Sequence, residues 1–299
     1  PFERRALPPL AQPEWTLLVQ GVDLHHDRVH ALMQQFRFVP DARLDDVMVS
    51  YAAPGGGVGP HLDSYDVFLL QGFGRRRWRW GAQRDTAFVP GLPLRILARF
   101  APTQDAVLGP GDMLYLPPGE AHDGVALDAC TTYSIGFRAA LASEIAQAFF
   151  TRLGERVDLA GRYADPDLAA TRTPARISRA MQDRIAATLA RVRVARPDIE
   201  VFVGSWLTEP KAHVSFTRPS RQPAARAFRQ AAGRRGVRLD LGTLALYDAG
   251  RMYVNGEILA PDPAARAQLR RLLDRRALAP REASALSPAT LAVLRDWHR

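Results

Sequence analysis

Cysteine is nearly absent: Cys130 is the one thiol in 299 residues. A disulfide framework is therefore excluded, and a reducing compartment is expected. No apolar run approaches the roughly 18 residues that a membrane span needs, so no membrane-embedded role is expected. Lysine is as scarce, since of 40 cationic residues only Lys211 is lysine. So lopsided a choice of arginine reflects the base composition of a genome more than any binding requirement. Internal repeats and low-complexity tracts are also missing, which argues against a solenoid or a disordered tail.

What is present is a soluble globular chain, 47% hydrophobic and long enough for two domains with room for a small third. The opening "PFERRALPPLAQPEW" starts at Pro1 and reads as the interior of a domain. An N-terminal part is therefore expected to precede it, and a leader peptide would lie outside the sequence. The cytoplasm is the expected location.

Charge divides the chain into two halves. Residues 1–140 hold 13 arginines against 15 acids, whereas residues 141–299 hold 27 basic residues against 16 acids. The first half is near-neutral to acidic and the second strongly basic, so two tasks are expected.

The first half consists of short apolar or alternating segments bounded by Gly and Pro: "WTLLVQGV", "DVMVSYA", "DVFLLQGF", "RRWRWG", "LRILARF", "DMLYLPP" and "TTYSIGF". Repeated strands separated by turn signals indicate a sandwich or barrel. "HDRVHALMQQF" reads as a short helix. After Arg138 the period changes to that of helices. Leu141, Ile145, Phe149 and Leu153 make one apolar stripe, and Ile177, Met181, Ile185, Leu189 and Val192 another. Such helices pack either against a second copy of the chain or as a cap on the barrel. From about Ser215 the order reads helix, strands, helix, helix, with turns at Asp248–Gly250 and at Asn255-Gly256, a small winged-helix-like module.

The chemistry lies in "GPHLDSYDVFLLQGFGRRRWRWG". Residues two apart on a strand face the same side, so in an extended "PHLDS" His61 and Asp63 converge. A third ligand comes from "GDMLYLPPGEAHDG", where a Gly-Asp turn, a strand and a Pro-Pro-Gly bend lead to His122. Two imidazoles and one carboxylate form the facial triad of non-haem Fe(II) oxygenases, and zinc could occupy the same atoms. On the strand after Gly74, Arg76, Trp78 and Trp80 share one face, and Arg75, Arg77 and Arg79 the other. The tryptophans belong inside, which carries Arg76 inward. A buried guanidinium needs an anion, and its planar fork suits a carboxylate.

These residues resemble the JmjC-type oxygenases of the double-stranded β-helix (cupin) class. More narrowly they are similar to the ribosomal oxygenases, and among those to the bacterial ribosomal protein arginine hydroxylases. The match rests on "PGGGVGPHLDSYDVFLLQGFGRRRWRWG", "LGPGDMLYLPPGEAHDGVAL", "TYSIGFRA" and "YADPDL", and extends more weakly through "SWLTEPK" to the C-terminus. It implies a mainly β fold with α: a cupin/JmjC barrel over 1–140, a helical dimerisation region over 141–214 and a winged-helix-like domain over 215–299. It implies Fe(II) held by His61, Asp63 and His122, with 2-oxoglutarate and dioxygen as co-substrates, Arg76 on the distal carboxylate of 2-oxoglutarate, and Thr132 and Ser134 supporting it.

The reaction implied is oxidative decarboxylation of 2-oxoglutarate coupled to hydroxylation of an arginine β-carbon in a large-subunit ribosomal protein of the L-sixteen family. A homodimer and a ribosomal protein partner follow from the same resemblance. Acids near the ligands, such as Asp66 or Asp123, are expected to face the substrate arginine. A plain cupin isomerase or zinc protein would need neither Arg76 nor 2-oxoglutarate, and two further alternatives remain at this level. One is a histidyl hydroxylase or demethylase on the same scaffold, because the ligand set does not encode the substrate. The other is a ribosome- or nucleic-acid-binding module, in which the basic half acts and the metal site is vestigial; direct RNA contact is left open.

Overall fold

A computed structural model describes residues 7–212, 214–217 and 219–298. The chain divides into two compact units: the first runs to Ala139 and adds Pro210–Thr243 and Asp262–Arg299, and the second holds Ala140–Glu209 and Leu244–Pro261.

In the first unit, β1 (Thr16–Val19) is followed by α1 (Asp27–Gln34) and then by β2 (Leu44–Ala52), β3 (His61–Leu62), β4 (Val67–Phe73), β5 (Arg76–Ala82), β6 (Gln104–Leu108), β7 (Met113–Leu116), β8 (Glu120–Ala126) and β9 (Cys130–Phe137). They form a five-stranded sheet in the order β1-β2-β9-β4-β7 and a four-stranded sheet in the order β3-β8-β5-β6. Every pairing is antiparallel. This is the mainly β, double-stranded β-helix arrangement expected of the segment.

Alternation gives the larger sheet two unlike faces. Val47, Ile135 and Phe137 point outward and pack with Val29, Met33 and Phe36 of the α1 region. The opposite face sends Val67, Leu69 and Leu116 to meet Trp78 of the smaller sheet. That second contact closes the two sheets over a common interior, and the site lies inside it.

"LRILARF" is not a strand. Only an isolated bridge between Phe88 and Leu97 forms there, because prolines 90, 93 and 102 remove backbone donors around it. The other strand segments expected in the first half appear as β1, β2, β4, β5, β7 and β9.

The second unit begins with α2 (Ala142–Arg156) and α3 (Arg179–Leu189). Ser178 caps α3 by accepting from the Met181 N–H, so Ile177 stands before the helix and Val192 after it. The expected stripe is shorter at both ends as a result. A further helix, α4 (Arg196–Leu207), has Pro197 in its first turn and the Ala195 N–H bonded to the Asp198 carboxylate. Phe202 of α4 packs edge-on to Phe149 and stacks on Trp206.

Within the basic half, α5 (Ala225–Arg235) and β10 (Val237–Arg238) belong to the first unit. The strands β11 (Ala245–Tyr247), β12 (Met252–Val254) and β13 (Glu257–Leu259) belong to the second. They turn at Asp248–Gly250 and at Asn255-Gly256, where both residues have positive φ as a tight hairpin requires. Gly204 of α4 admits the Tyr253 ring, which stands 2.4 Å from where a Cβ would be. The chain ends with α6 (Pro263–Arg275), β14 (Ala277–Leu278), which pairs with β10, and then α7 (Pro280–Ser284) and α8 (Pro288–Trp297).

Candidate active site

Strand register brings the three candidate ligands together. His61 of β3 is directly opposite His122 of β8, and His122 is in turn opposite Trp80 of β5. Asp63, two residues after His61, returns to the same side. One ligand atom from each of His61, Asp63 and His122 lies within 4.8 Å of the others, and this is the metal-competent cluster found among the described residues.

Each imidazole is held by its other nitrogen. Nδ1 of His61 lies 2.9 Å from the Gly59 carbonyl, and Nδ1 of His122 lies 3.1 Å from the Glu120 carbonyl. A carbonyl can only accept, so Nδ1 carries the proton and Nε2 presents its lone pair. Nε2 of His122 is 3.6 Å from the Asp63 carboxylate. Burial, and then the neighbouring His61, lower the pKa of His122 and favour the neutral form that binds a metal. Two imidazoles and a carboxylate fit a divalent first-row cation.

The triad opens into a cavity of about 270 Å³ lined from both sheets. Arg76 is 3% exposed and lines it. Its Nε and one terminal nitrogen are buried with no hydrogen-bond partner among the described residues, and its guanidinium stands 5.6 Å from the Trp78 ring. A buried cation without an anion is costly. An unpaired guanidinium lining a cavity beside a metal-competent triad fits a carboxylate held by the planar fork.

The outward arginines of the same stretch are paired one by one: Arg75 with Asp128, Arg77 with Asp105 and Arg79 with Asp123. Of the two hydroxyls, Ser134 lines the cavity and Thr132 does not. Thr132 is fully buried and donates to Oε1 of Gln71, whose amide spans the carbonyls of Phe73 and Gly74. Its hydroxyl is committed to fixing the β4–β5 turn.

The acids expected to face the substrate are also otherwise engaged. Asp123 is buried against Arg79, and Asp66 accepts from the Tyr115 hydroxyl at 2.7 Å and lies 3.5 Å from Arg43. Asp45 and Asp46 line the cavity instead. Simple alternation would turn only one of two consecutive residues inward, but the β2–β9 register slips between Leu44 and Val47 and lets both reach the cavity. Asp45 is paired with Nζ of Lys211 at 2.9 Å. Asp46 keeps one oxygen on the Gly21 N–H at 2.8 Å.

Tyr65 completes this end, its hydroxyl pushed up to about 12 by burial and by the Asp63 carboxylate. Gly136 lies between the two: a Cβ there would stand 3.8 Å from Oδ1 of Asp46 and 4.0 Å from the Tyr65 ring. An acid and a phenol side by side at one end of the cavity suit a long cationic side chain.

Comparison with known proteins agrees with this geometry. Residues 31–145 match the JmjC domain model and residues 188–298 the ROXA-like winged helix model. A match to the AraC-like ligand binding domain over residues 104–192 begins in the same strands. The chain is 36% identical over 251 residues to the ribosomal protein uL16 3-hydroxylase of Escherichia coli, covering 83% of this chain and 67% of that protein. It is 45% identical over 128 residues to a probable ribosomal oxygenase of Haemophilus influenzae, covering 42% and 32%. Among solved structures, E. coli YcfD superposes with a TM-score of 0.82 at 33% identity, over 99% of this chain and 80% of that one. The YcfD complex with cobalt and 2-oxoglutarate superposes at 0.77 and 32%, over 99% and 79%.

Proposed function

The chain belongs to the JmjC ribosomal-oxygenase family, and on that premise we propose that it is a 2-oxoglutarate- and Fe(II)-dependent oxygenase that hydroxylates an arginine side chain of ribosomal protein uL16 at the β-carbon. The observation that carries this reading is Arg76, a buried cation without an anion beside the His61, Asp63 and His122 cluster. A zinc protein or a plain cupin isomerase has no use for it.

His61, Asp63 and His122 would hold the iron. Arg76 receives the distal carboxylate of 2-oxoglutarate, and Ser134 lies along the same path. Bound iron supplies activation of dioxygen, coupled to decarboxylation of 2-oxoglutarate to succinate. The protein's part is to orient and to exclude water. Trp78 and Leu69 give the cavity an apolar wall, while Asp46 and Tyr65 take the guanidinium end of the substrate and leave its β-carbon near the triad.

Asp46, which no described cation neutralises, favours a guanidinium over a neutral imidazole, and this supports arginine over the histidyl hydroxylase alternative. The YcfD complexes with cobalt and 2-oxoglutarate, and with cobalt and succinic acid, support the co-substrate by kinship.

The proposal extends to assembly. Residues 1–140 carry catalysis, 141–214 a homodimer contact and 215–299 the winged-helix-like part, with β11–β13 serving α4. Ile145, Phe150, Ile185 and Leu189 are large apolar side chains left exposed on α2 and α3, which supports a second copy as their partner. No described helix is long and apolar enough to cross a membrane, in keeping with the cytoplasm, where ribosomal proteins are made.

Incubation with Fe(II), 2-oxoglutarate and uL16, followed by peptide mass spectrometry, tests the activity. One added oxygen on a single arginine is expected, and none with Asp63→Ala. Oxygen on histidine, or loss of a methyl group from lysine, would move the chain to a neighbouring activity.

A further inference from the structure

The positive charge of the chain has one address. Residues 215–299 hold 16 arginines against 7 acids, whereas residues 1–214 balance at 24 and 24, so the whole formal charge of +9 lies in the last 85 residues. Part of that excess is neutralised internally. Arg238 pairs with Asp27 and Arg275 with Glu282, and Arg276 donates to the carbonyls of Thr243 and Asp240. The arginines of α5 are different: Arg226, Arg229, Arg234 and Arg235 are exposed, and none forms an ion pair with a described residue. At 1.5 Å per residue they spread over roughly 14 Å of α5, and Arg226 and Arg229 form a row on one of its faces.

Beside that row runs a groove between α5 and α8 of about 400 Å³. Arg226 and Arg229, three residues apart and so on one face of α5, border it, with Arg295 coming from α8. Nε of Arg295 is buried with no hydrogen-bond partner among the described residues. Phe228, Pro288 and Leu291 line the same groove. Cations around an apolar, partly aromatic trough are what a single nucleic-acid strand recognises, its phosphates on arginine and its flat bases on the apolar surface.

We propose that this groove binds single-stranded RNA. The inference is independent of the oxygenase reading, because none of these residues lines the catalytic cavity. An acidic peptide would match the charge but has no planar group to fill the apolar part. A duplex would offer phosphates while keeping its bases stacked inside.

The test is fluorescence anisotropy of a short, mixed-sequence, labelled single-stranded RNA titrated with the full chain at several salt concentrations. Binding at physiological salt is expected. Replacing Arg226, Arg229 and Arg295 together with Gln should flatten the dependence of log K on log salt by about 2, since each lost phosphate contact removes roughly 0.7 on a single strand. Phe228→Ala should weaken binding about tenfold while leaving the salt slope unchanged, as loss of one stacked base does. Should Phe228→Ala fail to fold, the arginine variant still decides the matter, and Arg226 and Arg229, both exposed, can be replaced without Arg295. Absence of binding at physiological salt, an unaltered salt slope in the arginine variant, or tighter binding to an RNA duplex or to phosphatidylserine vesicles than to the single strand would each overturn the proposal.

Discussion

Gly124 lies directly opposite Trp78 across the β5–β8 pair, and a Cβ on Gly124 would stand 2.7 Å from the indole ring. The missing side chain is what lets Trp78 lie flat over β8. From there its ring approaches both His122, at 5.9 Å between ring centroids, and the Arg76 guanidinium, at 5.6 Å. One residue without a side chain thus sets the ring that neighbours both candidate site residues. Gly124→Ala is expected to displace the indole and destabilise the barrel by about 1 to 3 kcal/mol, the usual cost of overpacking a core. Thermal melting and the affinity for 2-oxoglutarate, measured on the same preparation, should both fall; a variant that kept both would show that the ring position does not matter.

Arg76→Ala removes the cation expected to hold the co-substrate. The loss should equal the worth of a charge-assisted bidentate pair, about 2 to 4 kcal/mol or roughly 30- to 1,000-fold in apparent affinity for 2-oxoglutarate. Stability should hold or rise, because an unpaired buried charge leaves the apo protein. Calorimetric titration with 2-oxoglutarate reads the first effect and melting of the apo protein the second. Unchanged affinity would return Arg76 to a structural role.

Asp46→Asn separates substrate recognition from co-substrate chemistry. Asp46 faces the cavity past Tyr65 and does not touch the triad, so the slow turnover of 2-oxoglutarate without protein substrate should persist. The KM for the uL16 peptide should rise at least tenfold, as expected when a charged hydrogen-bond partner becomes neutral. Asp66→Asn, on the Tyr115 side, should change neither.

What the sequence made legible, and what it did not, follows from period. The triad and Arg76 could be read because period-two alternation on short strands puts His61 with Asp63, and Arg76 with Trp78, wherever the sheet lies. Thr132 obeys the same alternation and points inward beside Ser134, yet its hydroxyl goes to Gln71, a long-range partner that no local pattern announces. Asp45 and Asp46 were hidden by a register slip, because a bulge breaks the rule that makes strands readable. Asp123 looked free until its cross-strand neighbour Arg79 was known. Helix α4 was missed because its buried residues, Phe202, Gly204 and Ser205, do not make an apolar stripe.

His30 gives the first unit an acid-sensitive point. Burial, and then the positive charge of Arg276, lower its pKa from 6.5 to about 4. The unfolded chain takes up the proton as pH falls through 6.5, whereas the folded chain resists until about 4. Stability attached to neutral His30 is therefore complete above pH 6.5 and is lost progressively down to pH 4. Allowing for solvent screening of a half-buried ring, the loss is about 2 kcal/mol. His30→Gln should flatten the dependence of urea midpoint on pH between 6.5 and 4, and an unchanged slope would assign the sensitivity elsewhere.

The last prediction concerns assembly. Phe150 is 64% and Leu189 63% exposed, and Ile145 and Ile185 on the same two helices are also open to solvent. Neither α2 nor α3 has a fully buried residue within the described structure. Amphipathic helices that bury so little of their apolar face within their own chain lack much of the tertiary packing from which most helical stability comes. A second copy offers the same apolar face in self-complementary form, the commonest arrangement of a two-fold dimer. Replacing Ile185 and Leu189 with Glu should therefore convert a dimer to a monomer at micromolar concentration, read by light scattering. It should also reduce the far-ultraviolet helical signal, because α3 would lose its packing partner. A monomer in the unmutated protein, with its helices fully formed, would show that these faces need no second copy.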